Sequence, residues 1–132
     1  MWAPAKGAIL RYQVEQAWVA VFPTPIRVVA GEVVVLSGRE ELWDGHRWVW
    51  GCGPDGREGW VPDCFVDVTE SKAVARVDYD ASELSCAVGE ILEPIRAVYG
   101  WVECRAAGGA VGWVPLRHLR EIAVACQGKP GG

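Results

Sequence analysis

The chain carries the string Gly-Trp-Val-Pro twice, at residues 59–62 and 112–115. In both copies a Trp lies eleven residues before the glycine of this string, at Trp48 and at Trp101, and a Gly-Glu pair lies further upstream. An internal period of roughly 55 residues indicates two small modules of one design. This repeat constrains the fold strongly, since each module has only about 50 residues in which to bury a core.

The hydrophobic pattern predicts β-strands throughout. The apolar runs are short, end at Gly, Pro or Asp, and show no sustained 3.6-residue period. We expect strands at 18–22, 33–37, 47–52 and 58–61 in the first module, and at 74–77, 91–96, 101–105 and 110–114 in the second. Residues 63–65 and 116–118 suit one 3₁₀ turn each, followed by a short final strand at Val66 and at Leu119. Five short strands per module predict a small closed or partly open barrel.

The same pattern predicts where the modules begin and end. An apolar–polar alternation at Leu10–Glu15 indicates an added edge strand in an N-terminal extension. A short connection without Gly or Pro predicts two modules with limited relative freedom, and the polar, Gly-rich end predicts a flexible tail. The predicted segments are an extension at 1–17, a first barrel at 18–68, a linker whose core is 69–72, a second barrel at 73–122 and a tail at 123–132.

Charge and composition narrow the class of partner and the compartment. The formal net charge is -4 and no basic stripe exists, which argues against nucleic acid and favours a partner that carries Arg or Lys. No apolar run approaches the length of about 20 residues that a membrane span needs, and the start of the chain lacks the pattern of a secretory signal. Five cysteines cannot all pair with one another. Together these features predict a cytoplasmic protein, and the excess of Arg over Lys is typical of a bacterial one.

No constellation in the sequence predicts catalysis, a metal or a cofactor. Residues 51–56 match Gly-x-Gly-x-x-Gly, but they lead into a strand rather than the helix N-terminus that a dinucleotide site requires. The cysteines have no Cys-x-x-Cys spacing. The two histidines, His46 and His118, have no nucleophile assembled with them in the pattern. We therefore expect a protein that is not an enzyme.

The second repeat has the motif order of a known family. It reads Ala-Arg-Val-Asp-Tyr at 75–79, Leu-Ser-Cys-Ala-Val-Gly-Glu-Ile-Leu at 84–92, Gly-Trp at 100–101 and Gly-Trp-Val-Pro at 112–115. This resembles the Src homology 3 (SH3) domain, and the first repeat resembles it more distantly. The resemblance implies an all-β fold of two small five-stranded Src-homology-3-like barrels in tandem. It also implies core positions for Cys86 and Cys104, whereas Cys64 and Cys126 are expected to be accessible.

The resemblance further implies a binding surface for proline-rich peptides, because this family binds preformed polyproline II segments in an aromatic groove. In the second barrel the implied groove residues are Tyr79, Trp101, Pro115 and His118, with Asp80 and Glu83 as readers of Arg or Lys on the peptide. In the first barrel they are Phe22, Trp48, Pro62 and Phe65. Val77 stands where the family has an aromatic residue, which implies weak binding.

Three functions remain open at this level. The first is a non-enzymatic module that binds a peptide segment or a partner protein. The second is a structural accessory whose two barrels pack on each other or on a larger complex. The third, cell-wall binding, is disfavoured because neither a secretory signal nor a catalytic domain is seen in the sequence. Open aromatic surface at Trp48 and Trp101 would favour the first function, and burial of these rings between the barrels would favour the second.

Overall fold

The computed structural model of the protein describes residues 8–70 and 72–125. Over these residues the fold is all-β, with two 3₁₀ turns and no α-helix. The strands are β1 Ala8–Val14, β2 Arg27–Val28, β3 Val33–Trp43, β4 His46–Cys52, β5 Glu58–Pro62, β6 Val66–Thr69, β7 Lys72–Ala75, β8 Tyr79–Asp80, β9 Ile91–Val98, β10 Trp101–Arg105, β11 Val111–Pro115 and β12 Leu119–Ala125. The 3₁₀ turns are Asp63–Phe65 and Leu116–His118. Two five-stranded sheets of this kind have the architecture of small SH3-like barrels, as predicted.

The strands form two compact units that do not follow the order of the repeat. We call them the two-segment unit, from the described residues within 1–19 and 84–132, and the one-segment unit, from 20–83. These units differ from the predicted barrels at 18–68 and 73–122. The reason is that β1 and β7 each pair with strands from the other half of the sequence.

The two-segment unit has the strand order β11-β10-β9-β1-β12. β1 pairs with β12 from Ala8 to Val14 and with β9 at Tyr12 and Gln13. The N-terminal segment that was expected to add an edge strand therefore supplies an internal one. Its alternation follows the pleat, so that every second side chain faces the core. The buried core comprises Tyr12, Val14, Leu84, Cys86, Leu92, Val102, Cys104, Val114 and Leu119.

The one-segment unit has the strand order β5-β4-β3-β7-β6. β7 is antiparallel to both β3 and β6, and Thr69 pairs with Lys72. The predicted linker at 69–72 is thus a tight hairpin, in which Glu70 has a φ of 57°. The strand predicted at 74–77 begins earlier, at Lys72, and completes this unit instead of opening the second barrel.

The strand predicted at 18–22 is wrong. Only Trp18 takes part in pairing, through an isolated bridge to Cys86. Phe22 lies on the surface, 47% exposed. The residues that follow reach β2, which pairs with β8 as a separate two-stranded sheet in the one-segment unit.

The remaining strands agree with the sequence pattern. β10 has the predicted bounds, the others differ by one or more residues at their ends, and both 3₁₀ turns lie where expected. The extra length of the first repeat forms a long β3–β4 hairpin. Asp44 and Gly45, at its tip, have φ values of 53° and 81°, the left-handed pair that a two-residue hairpin requires.

The predicted tail begins too early, because residues 123–125 belong to β12. They continue its pairing with β1, where Ala8 lies opposite Ala125. The rest of the predicted tail and Cys126 lie outside the described residues.

Candidate ligand-binding surfaces

In each unit the Trp and the Pro of one copy of the repeated motif lie together. In the two-segment unit Trp101 at the start of β10 pairs with Pro115 at the end of β11. In the one-segment unit Trp48 in β4 pairs with Pro62 at the end of β5. Paired residues point to the same face of a sheet, so each Trp lies beside its Pro. Both prolines are fully buried, so each supports its Trp and leaves little surface that a ligand could contact.

The two-segment unit presents an aromatic cluster of Trp18, Trp101 and His118. The Trp18 ring stands edge-on to Trp101, with centroids 5.6 Å apart, and edge-on to His118 at 5.2 Å. All three side chains are only partly buried. Edge-to-face packing of this kind holds the rings in fixed orientations while leaving part of each accessible.

Backbone and side-chain hydrogen bonds hold Trp18 in that cluster. The Trp18 N–H donates to the Cys86 carbonyl at 3.0 Å, and the Cys86 N–H donates to the Trp18 carbonyl at 2.9 Å. His118 Nδ1 lies 3.2 Å from the carbonyl oxygens of Gln16 and Ala17. Because a carbonyl oxygen only accepts, Nδ1 carries a hydrogen in this arrangement.

Sequence reasoning missed Trp18 as a site residue, although a signal was present. Trp18 follows the last residue of β1, Val14, by four positions, and Tyr79 follows the last residue of β7, Ala75, by the same offset. Since β1 and β7 occupy equivalent places in their sheets, Trp18 is the counterpart of Tyr79. The offset from the strand end, rather than from the repeat motif, identifies it.

Tyr79 belongs to the one-segment unit and not to the unit of Trp101 and Pro115. Its hydroxyl donates to the Trp60 carbonyl at 2.8 Å, and its ring packs edge-on against Phe65 with centroids 5.5 Å apart. Tyr79 is 5% exposed and Trp48 is 4% exposed. The ring of Trp43, from the long hairpin, lies 5.1 Å from that of Trp48. Trp48, Pro62 and Tyr79 are therefore largely covered, whereas Phe22, also predicted for this groove, is exposed.

Asp80 and Glu83, the acidic residues predicted to recognise Arg or Lys on the peptide, lie in the one-segment unit together with Tyr79. Asp80 pairs with Arg27 across β2 and β8, and its carboxylate accepts the Ser82 N–H at 2.8 Å. Glu83 is the last residue of this unit and is partly buried. The predicted site of the second barrel thus divides between the units, with Tyr79, Asp80 and Glu83 in one and Trp101, Pro115 and His118 in the other.

A second aromatic feature, which the sequence did not reveal, covers the outer face of the β3–β4–β5 sheet. We call it the tryptophan ladder, and it consists of Trp43, Trp48, Trp50 and Trp60. Trp43 lies 5.5 Å from Trp60, and Trp60 lies 5.1 Å from Trp50, both edge-on. The guanidinium of Arg39 lies over the rings of Trp50 and Trp60, at 4.9 Å and 5.0 Å from their centroids.

The corresponding face of the two-segment unit has a different construction. There Trp113 is 4% exposed, and the guanidinium of Arg96 lies 5.4 Å from its ring centroid. Arg96 also donates to Glu103 at 2.9 Å. Glu103 pairs with Trp113 at the position that Trp50 holds opposite Trp60. One ring and one ion pair therefore stand where the ladder has the paired rings of Trp50 and Trp60.

The described residues contain no group of three or more His, Cys, Asp or Glu placed to hold a metal ion. Cys86 and Cys104 are free and buried, which confirms their predicted core positions. Cys64 is free and exposed, also as predicted. Across the same residues there is no helix of the length and hydropathy that a membrane span requires.

The fold defines the class: an all-β protein built from small SH3-like sheets. Comparison with known families agrees for part of the chain, since residues 11–68 match the model described as a variant SH3 domain. No curated protein and no solved structure matches the chain. The matched residues run from β1 to β6 and so cross from one unit to the other. Domains of this kind are in general protein-interaction modules.

Proposed function

We propose that the protein is a non-enzymatic interaction module that binds a peptide segment or a partner protein through the aromatic cluster of the two-segment unit. The observation that carries this proposal is the partial exposure of Trp18, Trp101 and His118, three rings fixed against one another within 5.6 Å. Partly exposed, rigid aromatic side chains lose little entropy on binding and are enriched among the residues that dominate binding energy.

The ligand that this cluster suits is an extended, proline-containing segment. Polyproline II is preformed, and its rings pack against indole faces at low entropic cost. In this proposal Trp18 takes the role that the sequence prediction gave to Tyr79 in the second barrel. The net charge of -4 supports a partner that carries Arg or Lys.

The one-segment unit is the poorer candidate for the same mode of binding. Trp48 and Tyr79 are 4% and 5% exposed, and Trp43 packs on Trp48. A ligand that entered this groove would have to displace Trp43 first. The exposed Phe22 offers an isolated ring rather than a groove.

The bacterial cytoplasm, the setting that the sequence favours, remains part of this proposal. Free Cys86 and Cys104 in the core support a reducing compartment. If this part of the proposal is correct, the protein should be functional when it is expressed in a reducing cytosol and not when it is directed to an oxidising compartment.

The test uses a labelled ten-residue polyproline peptide that carries one Arg, titrated with the full chain and followed by fluorescence anisotropy. We expect a dissociation constant of tens of micromolar, about 6 kcal/mol. Trp101→Ala should weaken binding at least about tenfold while the thermal midpoint stays close to that of the parent protein.

Val88→Ala is the matched control, because Val88 is an exposed apolar residue of the same unit, 66% accessible. This variant should bind as the parent does. Unchanged affinity in Trp101→Ala would refute the proposed site. Unfolding of Trp101→Ala would assign the ring a structural role and favour the accessory function instead.

A further inference from the structure

The guanidinium of Arg39 contacts the tryptophan ladder through the rings of Trp50 and Trp60. Arg39 is exposed, and among the described residues no carboxylate forms an ion pair with its guanidinium. It follows Gly38, which has a φ of 93°, at the register shift between β3 and β4. The side chain is therefore held at its end by two indole faces, a weak contact at a solvent-exposed site.

The rings that receive this guanidinium are built into the sheet. Trp50 and Trp60 lie directly opposite each other on β4 and β5 and meet at an interplanar angle of 82°. The Trp50 indole N–H donates to Glu58 at 3.0 Å, which fixes the orientation of that ring. The two faces hence form a preorganised seat that does not depend on Arg39 for its shape.

The charges around the seat favour a cation. Glu58 lies at the edge of Trp50, and Glu41 accepts the Trp43 indole N–H at 2.7 Å. Both carboxylates are exposed. A guanidinium on Trp50 and Trp60 meets the electron-rich faces of two rings, with the carboxylate of Glu58 at the edge of Trp50.

Arg96 on Trp113 shows how a structural contact of this type differs. Arg96 is bound to Glu103 at 2.9 Å, its side chain is partly buried, and Trp113 is almost fully covered. Displacing Arg96 would break an ion pair and expose a core ring. Displacing Arg39 would cost only its contact with two rings that are already partly exposed.

We propose that Trp50 and Trp60 form a second binding site, which takes an arginine side chain of a partner polypeptide, and that Arg39 is an internal competitor for it. The chain's own guanidinium demonstrates the chemistry that the seat accepts. This site lies on the one-segment unit and does not depend on the aromatic cluster around Trp101.

The test titrates the full chain with the acetylated, amidated peptide Gly-Arg-Gly-Arg-Gly and follows the indole N–H resonances of Trp50 and Trp60 by NMR. Arg39→Ala should tighten binding about three- to sixfold, because the competing contact is removed. The same peptide with citrulline in place of arginine should bind about two- to fivefold more weakly, since it keeps the shape and loses the charge.

The controls separate this site from structural effects and from the site proposed above. Arg96→Ala and Trp101→Ala should leave the peptide affinity unchanged, whereas Trp60→Leu should abolish the binding. If Arg39→Ala fails to fold, Arg39→Gln provides the same comparison. Equal affinity of the parent and the Arg39 variant, or of the arginine and citrulline peptides, would overturn the proposal.

Discussion

At the scale of single residues, burial decides the chemistry of the thiols. Cys104 is fully buried, and this burial, with nearby Cys86 as the second cause, raises the pKa of its thiol to about 12. Burial also raises the pKa of Cys86. The thiolate is the reactive form.

A thiol reagent at pH 8 should therefore label Cys64 in the folded protein and Cys86 and Cys104 only after denaturation, as read by mass spectrometry. Rapid native labelling of Cys104 would contradict its place in the core.

The same pKa predicts a loss of stability in alkali. Below about pH 9 the Cys104 thiol is protonated in both states, so it adds no pH dependence. Between about pH 9 and 12 the unfolded thiol ionises and the buried one does not. The free energy of unfolding should then fall by up to about 4 kcal/mol. Urea titrations across this range should show a shallower fall for Cys104→Ala than for the parent, whereas Cys64→Ala should follow the parent.

At the scale of strands, close packing at Gly51 limits what β4 can carry. A Cβ atom added there would overlap Cγ1 of Val34, a fully buried side chain in β3. Gly51→Ala should thus lower the free energy of unfolding by about 1–3 kcal/mol, as overpacking does. Gly108→Ala is the comparison, because nothing lies within 4 Å of a Cβ at that position. Equal stability of the two variants would show that the β3–β4 contact is looser than described.

Strand prediction succeeded where the alternation of apolar residues reports the pleat directly. β10 and both 3₁₀ turns were placed correctly, because Gly-Trp-Val-Pro and the flanking turns are local signals. Strand prediction failed at 18–22, because the chain passes from the two-segment unit to the one-segment unit there and its apolar residues do not form a strand. There, Val19 and Val21 are exposed, and local hydrophobicity no longer reports burial.

At the scale of the whole molecule, the exchange of β1 and β7 makes each half of the sequence dependent on the other. Residues 1–69 contain β1, which the two-segment unit needs, and residues 72–132 contain β7, which the one-segment unit needs. A chain cleaved at a protease site placed in the β6–β7 turn should remain one complex in size-exclusion chromatography and separate only in denaturant.

Each piece should also fail to fold alone. Residues 72–132, expressed separately, lack β1 between β9 and β12 and should give the NMR spectrum of an unfolded chain until residues 1–69 are added. A dispersed, native-like spectrum of the isolated piece would show that each repeat can fold on its own strands.

The sequence alone determined the class of fold and most of the strands, because these depend on local alternation and turn residues. It also placed Trp48, Trp101, Pro62 and Pro115 in corresponding pairs. Local signals could not determine which of the two sheets includes β1 and which includes β7. Both strands have the alternation of apolar residues that allows every second side chain to face a core. The structure joins β7 to β6 by a tight hairpin, a connection whose closure costs little entropy. That pairing decided the units, and with them the grouping of Trp18 rather than Tyr79 with Trp101.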